Sequence, residues 1–166
     1  VARSAPDGYT LMVSTNTPHS ANPYLMKNMT YDPIKDFTPI ARSGDLPFML
    51  VIHPDIPANS VAELIALAKK EPGKYSFASG SSAAIVSGAT FASLAGLDLL
   101  HVPYKSSPPA LTDLIAGRVS MMFIDVPTGL PHVNAKALKA LAVTTKQRSA
   151  LLPELPTMDA TVKGFD

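Results

Sequence analysis

Phe48-Met49-Leu50-Val51-Ile52-His53-Pro54-Asp55-Ile56-Pro57-Ala58-Asn59-Ser60-Val61-Ala62-Glu63-Leu64-Ile65-Ala66-Leu67-Ala68-Lys69-Lys70-Glu71-Pro72-Gly73 is the stretch that decides the fold class. Its first six residues are almost continuously apolar, the pattern of a strand covered on both faces. Pro54 and Pro57 end that strand. Ser60 and Glu63 then stand in capping-box spacing, where the serine accepts from the third helical N–H and the glutamate reaches back. Val61, Leu64, Ile65 and Ala68 share one helical face, and Pro72-Gly73 stops the helix.

The same alternation continues toward the C-terminus. Tyr75 to Ala78 reads as a short strand, followed by the small-residue loop Ser79-Gly80-Ser81-Ser82. Ala83 to Ala95 reads as a helix closed by Gly96 at its C-terminal cap. Leu99 to Val102 reads as a strand. Ser107 before Pro108 then forms a helix start, with proline at the first helical position, and that helix runs to Gly117. Val119 to Ile124 is a predicted strand, followed by Asp125-Val126-Pro127. A short helix is expected over Leu130 to Lys136, and a last strand over Leu138 to Thr144. The resulting order, β-α-β-α-β-α-β-α-β, implies a three-layer α/β domain with a largely parallel sheet.

The flanks differ. Upstream, Tyr9 to Ser14 reads as a strand after the Pro6-Asp7-Gly8 turn, a short helix is expected around Ala21 to Met26, and Thr38 to Arg42 reads as a weak strand. Downstream, Pro153 and Pro156 mark an exit segment. Two lobes account for this. Residues 1–46 form part of lobe one, residues 47–144 form an α/β lobe two with its crossover strands, and residues 145–166 return toward lobe one. The 16 prolines are dispersed between periodic segments, so none of this is a Pro-rich linker. Both ends enter and leave without a closing element, as in an internal fragment.

Composition limits the function classes. The net charge of +1 argues against a general nucleic-acid surface. With no cysteine there is no disulfide, no thiol catalysis and no cysteine zinc site. No apolar run reaches the ~18 residues of a membrane-spanning helix. No histidine pair shares helical spacing with a carboxylate, so no metal site is expected. No G-x-S-x-G elbow supports hydrolase chemistry, so no catalytic residue is assigned, and no motif implies a cofactor. The methionines, Met121-Met122 among them, read as core filler.

In open α/β sheets, ligands lie beyond the carboxyl ends of the strands. The polar segments at those positions are Ser79-Gly80-Ser81-Ser82, Tyr104-Lys105 with Ser106-Ser107, Asp125, and the upstream turn holding Asn16, Thr17 and His19. The serine-glycine loop opens a helix, so free N–H groups and the positive end of the dipole suit a carboxylate. Ser82 serves equally as that helix's own cap. Ser106-Ser107-Pro108 makes a second helix start of the same kind. Lys105 offers a cation or is a solvated loop lysine, and Tyr104 offers a hydroxyl or packs on the sheet. Asp125 accepts from a ligand or caps a turn before Pro127. His19 bonds a ligand or is structural. His53, His101 and His132 read as packing residues.

Several of these segments resemble one family. Ala5-Pro6-Asp7-Gly8-Tyr9-Thr10-Leu11, Tyr31-Asp32-Pro33, Lys35-Asp36-Phe37, His101-Val102-Pro103-Tyr104-Lys105, Ala110-Leu111-Thr112-Asp113-Leu114, Leu138-Lys139-Ala140-Leu141-Ala142-Val143-Thr144 and Leu155-Pro156-Thr157-Met158 are similar, in order, to motifs of the tricarboxylate-transporter receptors, also called Bug receptors. The resemblance implies a type II periplasmic-binding-protein-like, two-lobed architecture, with lobe two complete and lobe one partial. It implies a periplasmic receptor that closes by hinge motion on a small carboxylate and delivers it to membrane transporter subunits. Self-association of the fragment is a further expectation. The alternatives are a ligand-sensing or protein-docking module without a transport role and, last, a small α/β hydrolase. Asn16, Thr17 and His19 match the family's lobe-one loop, Ser79 to Ser82 its glycine-rich carboxylate loop, and Tyr104-Lys105 its lobe-two segment. Asp125 stands where the family often has the asparagine of an Asp-Asn pair. The loop is shorter than usual, Ile85-Val86 replaces His-Leu, and Ile124-Asp125 replaces Asp-Asn, which leaves backbone N–H groups as the principal donors of that wall.

Overall fold

The apolar run at Phe48 is strand β1 (Phe48–Ile52), its last four residues fully buried. In the computed structural model, which describes residues 1–44 and 46–165, β1 is hydrogen-bonded on both sides. β4 (Met121–Asp125) and β5 (Lys139–Val143) flank it, and both run antiparallel to it. β2 (Ser76–Ser79) pairs in parallel with β3 (Leu100–Pro103) and with β4, so the sheet order is β3-β2-β4-β1-β5. Four strands share one direction and β1 opposes them. The expectation of a largely parallel sheet therefore fails at β1. A doubly covered apolar run records burial on both faces and carries no information about strand direction.

Side chains alternate faces along each strand. Leu50, Ile52, Met121 and Phe123 point to one face with Phe77, under α2 (Val61–Lys70) and α3 (Ser82–Ala95), which contribute Leu64 and Phe91. Met49, Val51, Met122 and Ile124 point to the other, under α4 (Ser107–Ile115) and α5 (Val126–Asn134), which contribute Leu114 and Val126. Burying apolar area on both faces is the main stabilisation of this three-layer unit.

Local signals place the helices. Ser60 Oγ accepts from the Glu63 amide at 3.2 Å, and Glu63 Oε2 accepts from the Asn59 amide at 2.7 Å. The capping box therefore closes one residue earlier than the standard pairing. α3 ends on Gly96 in the left-handed region (φ 62°), as glycine permits. α5 starts at Val126 rather than at Leu130. Pro127 falls in its first turn, where a missing N–H removes nothing, so the proline that looked like a loop residue lies inside the helix.

The chain divides into two compact units, Val1–Gly44 and Asp45–Asp166. Among the described residues of the first there is no strand; the expected strands at Tyr9 to Ser14 and Thr38 to Arg42 carry no sheet pairing. Tyr9 and Val13 are more than nine-tenths exposed, and a strand forms only against a partner that takes its backbone hydrogen bonds. The expected short helix is present as α1 (Asn22–Leu25), entered through a π-helical turn, Thr17–Ala21. In the second unit, of the residues beyond β5, Leu152 packs on the α4/α5 side and Met158, Val162 and Phe165 on the α2/α3 side. Thr157 bridges Val143, Met158 and Val162 are buried, and the Phe165 ring stacks on Phe123 at 5.7 Å between centroids.

Candidate functional site

The sheet places three strand-to-helix junctions at one edge: β2 to α3, β3 to α4 and β4 to α5. From β2 the chain turns to β3 through α3 on one face. From β4, its neighbour, it turns the opposite way to β5 through α5 on the other. That reversal puts the topological switch point between the ends of β2 and β4, the usual ligand position in such sheets. Ser79-Gly80-Ser81-Ser82 and Asp125 flank it. The antiparallel β1 brings its start to the same edge: Phe48 pairs with Asp125, the Val126 amide donates to Pro47 O at 2.9 Å, and the Thr144 amide donates to Phe48 O at 2.9 Å.

The β2 and β3 loops are in direct contact. The Tyr104 amide donates to Ser79 O at 2.8 Å. A Cβ on Gly80 would lie 2.2 Å from Ser106 C and 2.3 Å from Ser107 N, so only glycine lets the two backbones meet. Ser81, not Ser82, caps α3: its Oγ accepts from the Ala84 amide at 3.2 Å. Ser79 is buried, and its hydroxyl is paired with His101 Nε2 at 2.6 Å, on the face where His101 stacks on Phe77.

The three helix starts are chemically unequal. α4 has Ser106 as its cap residue, one position before the expected Ser107, with no side-chain capping bond. Pro108 and Pro109 follow, so two of its first-turn amides do not exist. In α5 the Val126 amide is bonded to Pro47, Pro127 has none, and the Thr128 amide donates to Asp125 Oδ1 at 2.9 Å. Asp125 is thus the N-cap of α5 and already supplies that dipole with a negative charge. α3 has no proline in its first turn, and the Ala83 amide has no partner among the described residues. The sequence carried this distinction in its prolines, although the two serine-rich starts read as equivalent.

Lys105 is exposed and makes no hydrogen bond or ion pair among the described residues. Tyr104 is half-buried, and its hydroxyl donates to Asp113 Oδ2 at 2.8 Å; Arg118 Nη1 donates to Asp113 Oδ1 at 2.7 Å. The Tyr104 hydrogen bond, then Arg118, holds the Asp113 carboxyl below its ordinary range, and the same bond raises the Tyr104 hydroxyl. Sequence reasoning assigned no role to Asp113 or Arg118. The pair is recognisable only once α4 places its last turn beside Tyr104.

In the first unit, Asn16 precedes the π-helical turn and its carbonyl accepts from the His19 and Ser20 amides. Thr17 begins that turn. His19 Nδ1–H donates to Pro33 O at 2.9 Å and its ring meets Phe37 edge-on. The Tyr31 hydroxyl donates to Pro18 O at 2.8 Å. Among the described residues no cluster of acidic or histidine side chains could hold a metal ion, and no helix is long and apolar enough to cross a membrane.

The whole chain, residues 1–166, matches the family described as tripartite tricarboxylate transporter family receptor. The chain belongs to that family. Among the relatives, a UPF0065 protein in the tcbD-tcbE intergenic region of Pseudomonas sp. (strain P51) is 37% identical over 171 residues, covering 100% of this chain and 50% of that protein. Protein BugT of Bordetella pertussis is 36% identical over 161 residues, covering 95% and 49%. The chain therefore spans about half the length of the curated relatives it matches. Among solved structures, R. palustris Rpa4515 with adipate superposes with a TM-score of 0.94 at 35% identity, covering 100% of this chain and 56% of that one. The periplasmic binding protein BugD gives 0.87 at 34%, covering 100% and 56%. MatC of Rhodopseudomonas palustris with bound malate gives 0.87 at 28%, covering 100% and 57%. The fold is that of the periplasmic binding proteins, and the family is one of solute-binding receptors, not enzymes.

Proposed function

We propose that this chain is the ligand-capturing part of a periplasmic receptor for a small carboxylate, and that the parent protein hands its ligand to the membrane subunits of a tripartite transporter. One observation carries the reading: at this edge α3 enters without a proline in its first turn, and its Ala83 amide has no partner among the described residues, beside a glycine loop closed by Gly80. Backbone N–H groups at a positive helix end are suited to a carboxylate. Ser81 and Ser82 lie beside that amide, and Lys105 is the exposed cation of the neighbouring loop. In this reading Asp125 completes α5 rather than meeting the anion, Ser79 is a partner of His101, and Tyr104 acts through its backbone. Asn16, Thr17 and His19 rest on the family resemblance alone. Adipate and malate, the ligands of two structural relatives, are the natural probes.

Ala83→Pro tests the reading. It gives α3 the Ser-Pro start that α4 already has, and proline is tolerated there. The wild-type chain should show a raised melting midpoint with adipate or malate, about 2.7 kcal/mol of stabilisation at one hundred times Kd, and none with 1,6-hexanediol. Losing a hydrogen bond to a charged ligand costs about 1.5–3 kcal/mol, so the variant should melt like wild type and bind about ten- to hundredfold more weakly. Unaltered binding by Ala83→Pro, or no shift of a cooperatively melting wild-type chain with any carboxylate, overturns the reading.

A further inference from the structure

Tyr104 is joined at both ends. Its amide is bonded to Ser79 O on the β2 side of the edge, and its hydroxyl to Asp113 on the last turn of α4. Asp113 is fixed in turn by Arg118 Nη1 at 2.7 Å, and the Arg118 amide donates to Asp113 O at 2.9 Å. Arg118 follows Gly117, which takes a positive φ of 71° and turns the chain back past α4. The ring spans α4 from the loop before it to its final turn. Residues 104–107, between the two anchors, include the Ser106–Ser107 peptide that rests on Gly80.

We propose that Asp113 is a positioning residue of the ligand edge: by accepting the Tyr104 hydroxyl it holds the loop before α4 against Gly80, and so sets the distance between the α3 and α4 starts. This rests on the carboxylate-receptor reading. Asp113 touches no ligand in this arrangement, and neither does the Tyr104 hydroxyl. The serine-rich α4 start, poor in amides because of Pro108 and Pro109, then serves as a wall whose placement matters more than its donors. Arg118, on the solvent side, keeps Asp113 ionised and turned toward Tyr104.

The experiment uses the full 166-residue chain with adipate and malate as probes. Binding is measured by calorimetry and amide hydrogen exchange is followed over residues 104–107. Asp113→Ala and Tyr104→Phe should each weaken binding by about tenfold, the size of one charge-assisted hydrogen bond, and the double variant should be no weaker than either. Asp113→Asn keeps an oxygen that accepts from Tyr104 and should recover most of the affinity, an effect general destabilisation would not produce. Exchange at the Tyr104 amide, which is bonded to Ser79 O, should quicken in Asp113→Ala and return toward wild type in Asp113→Asn. Unchanged affinity in Asp113→Ala, or equal loss in the alanine and asparagine variants, overturns the assignment. A wild-type chain that binds neither acid overturns the receptor reading itself, and the two failures are told apart by that wild-type titration.

Discussion

Replacing Gly80 with alanine tests the close approach of the two loops directly. Its added Cβ would lie 2.2 Å from Ser106 C, 2.3 Å from Ser107 N and 2.4 Å from Ser106 O. All three are backbone atoms, so no rotamer change can relieve the overlap. Ordinary contact begins near 3.4 Å, so the β3–α4 loop must retreat by about 1 Å, a strain of the overpacking kind that costs about 1–3 kcal/mol. Gly80 shows no positive φ, so alanine also recovers about 0.4–1 kcal/mol through the unfolded chain. The net expectation is a loss of about 1–2 kcal/mol. For a chain of this length that is about 2–8 °C in melting midpoint, with an unchanged urea m-value. Binding of adipate should weaken as well, because the retreat breaks the Tyr104–Ser79 hydrogen bond. Gly96→Ala is the control. It forces a positive φ on alanine, with nothing within 4 Å of the new Cβ, at a cost of about 1 kcal/mol, and lies at the far end of α3. It should lose stability and keep affinity. A Gly80→Ala variant with wild-type midpoint and affinity, or a Gly96→Ala variant that loses affinity equally, would refute the reasoning.

Phe123→Ala removes a fully buried ring set between Phe91 and Phe165, at 6.1 and 5.7 Å between centroids. It should cost about 3–5 kcal/mol in a urea titration, and a loss under 1 kcal/mol would mean that the tail does not close over β4. The Tyr104–Asp113 bond should impose a pH window. Asp113 has a depressed folded pKa, so its contribution is present above the carboxylate range and lost as pH falls through it. Tyr104 has a raised pKa, so its contribution is present below the ordinary tyrosine pKa and lost as pH rises past it. The stability gap between wild type and Asp113→Asn, followed by urea unfolding in pH steps, should therefore shrink at the acid end. A gap that is constant through the carboxylate range would contradict the assigned pairing.

The parts of the fold visible in the sequence are those that depend on local chemistry or on burial. The strand at Phe48, the capped helix after Ser60 and the glycine stop at Gly96 each follow from a few neighbouring residues, and all are present. Whatever depends on a distant partner was hidden. The direction of β1 follows from which strands receive it, and hydrophobicity does not encode that. Tyr9 to Ser14 has strand-like residues without a neighbour to pair with. At the site, the serine-rich loops were visible as polar interruptions in an apolar chain. The direction of the Tyr104 hydroxyl was not, because it is set by a residue nine positions later that becomes a neighbour only across a full helix.

A positive helix end is a common feature, and three of them at one edge would ordinarily leave an anion's position ambiguous. Here the covalent sequence narrows the choice. Pro108 and Pro109 delete donors from α4, whereas Pro127, Asp125 and the carbonyl of Pro47 delete or engage those of α5. α3, with no proline in its first turn, follows a loop whose glycine is required by a backbone contact rather than by a turn. Capping α5 internally also lowers the cost of holding three like-signed dipole ends together, because Asp125 neutralises the α5 end. The same carboxylate that stabilises α5 would repel a second anion there. This edge should therefore hold one carboxylate at a time, at the start of α3, with the rest of the ligand extending away from Asp125.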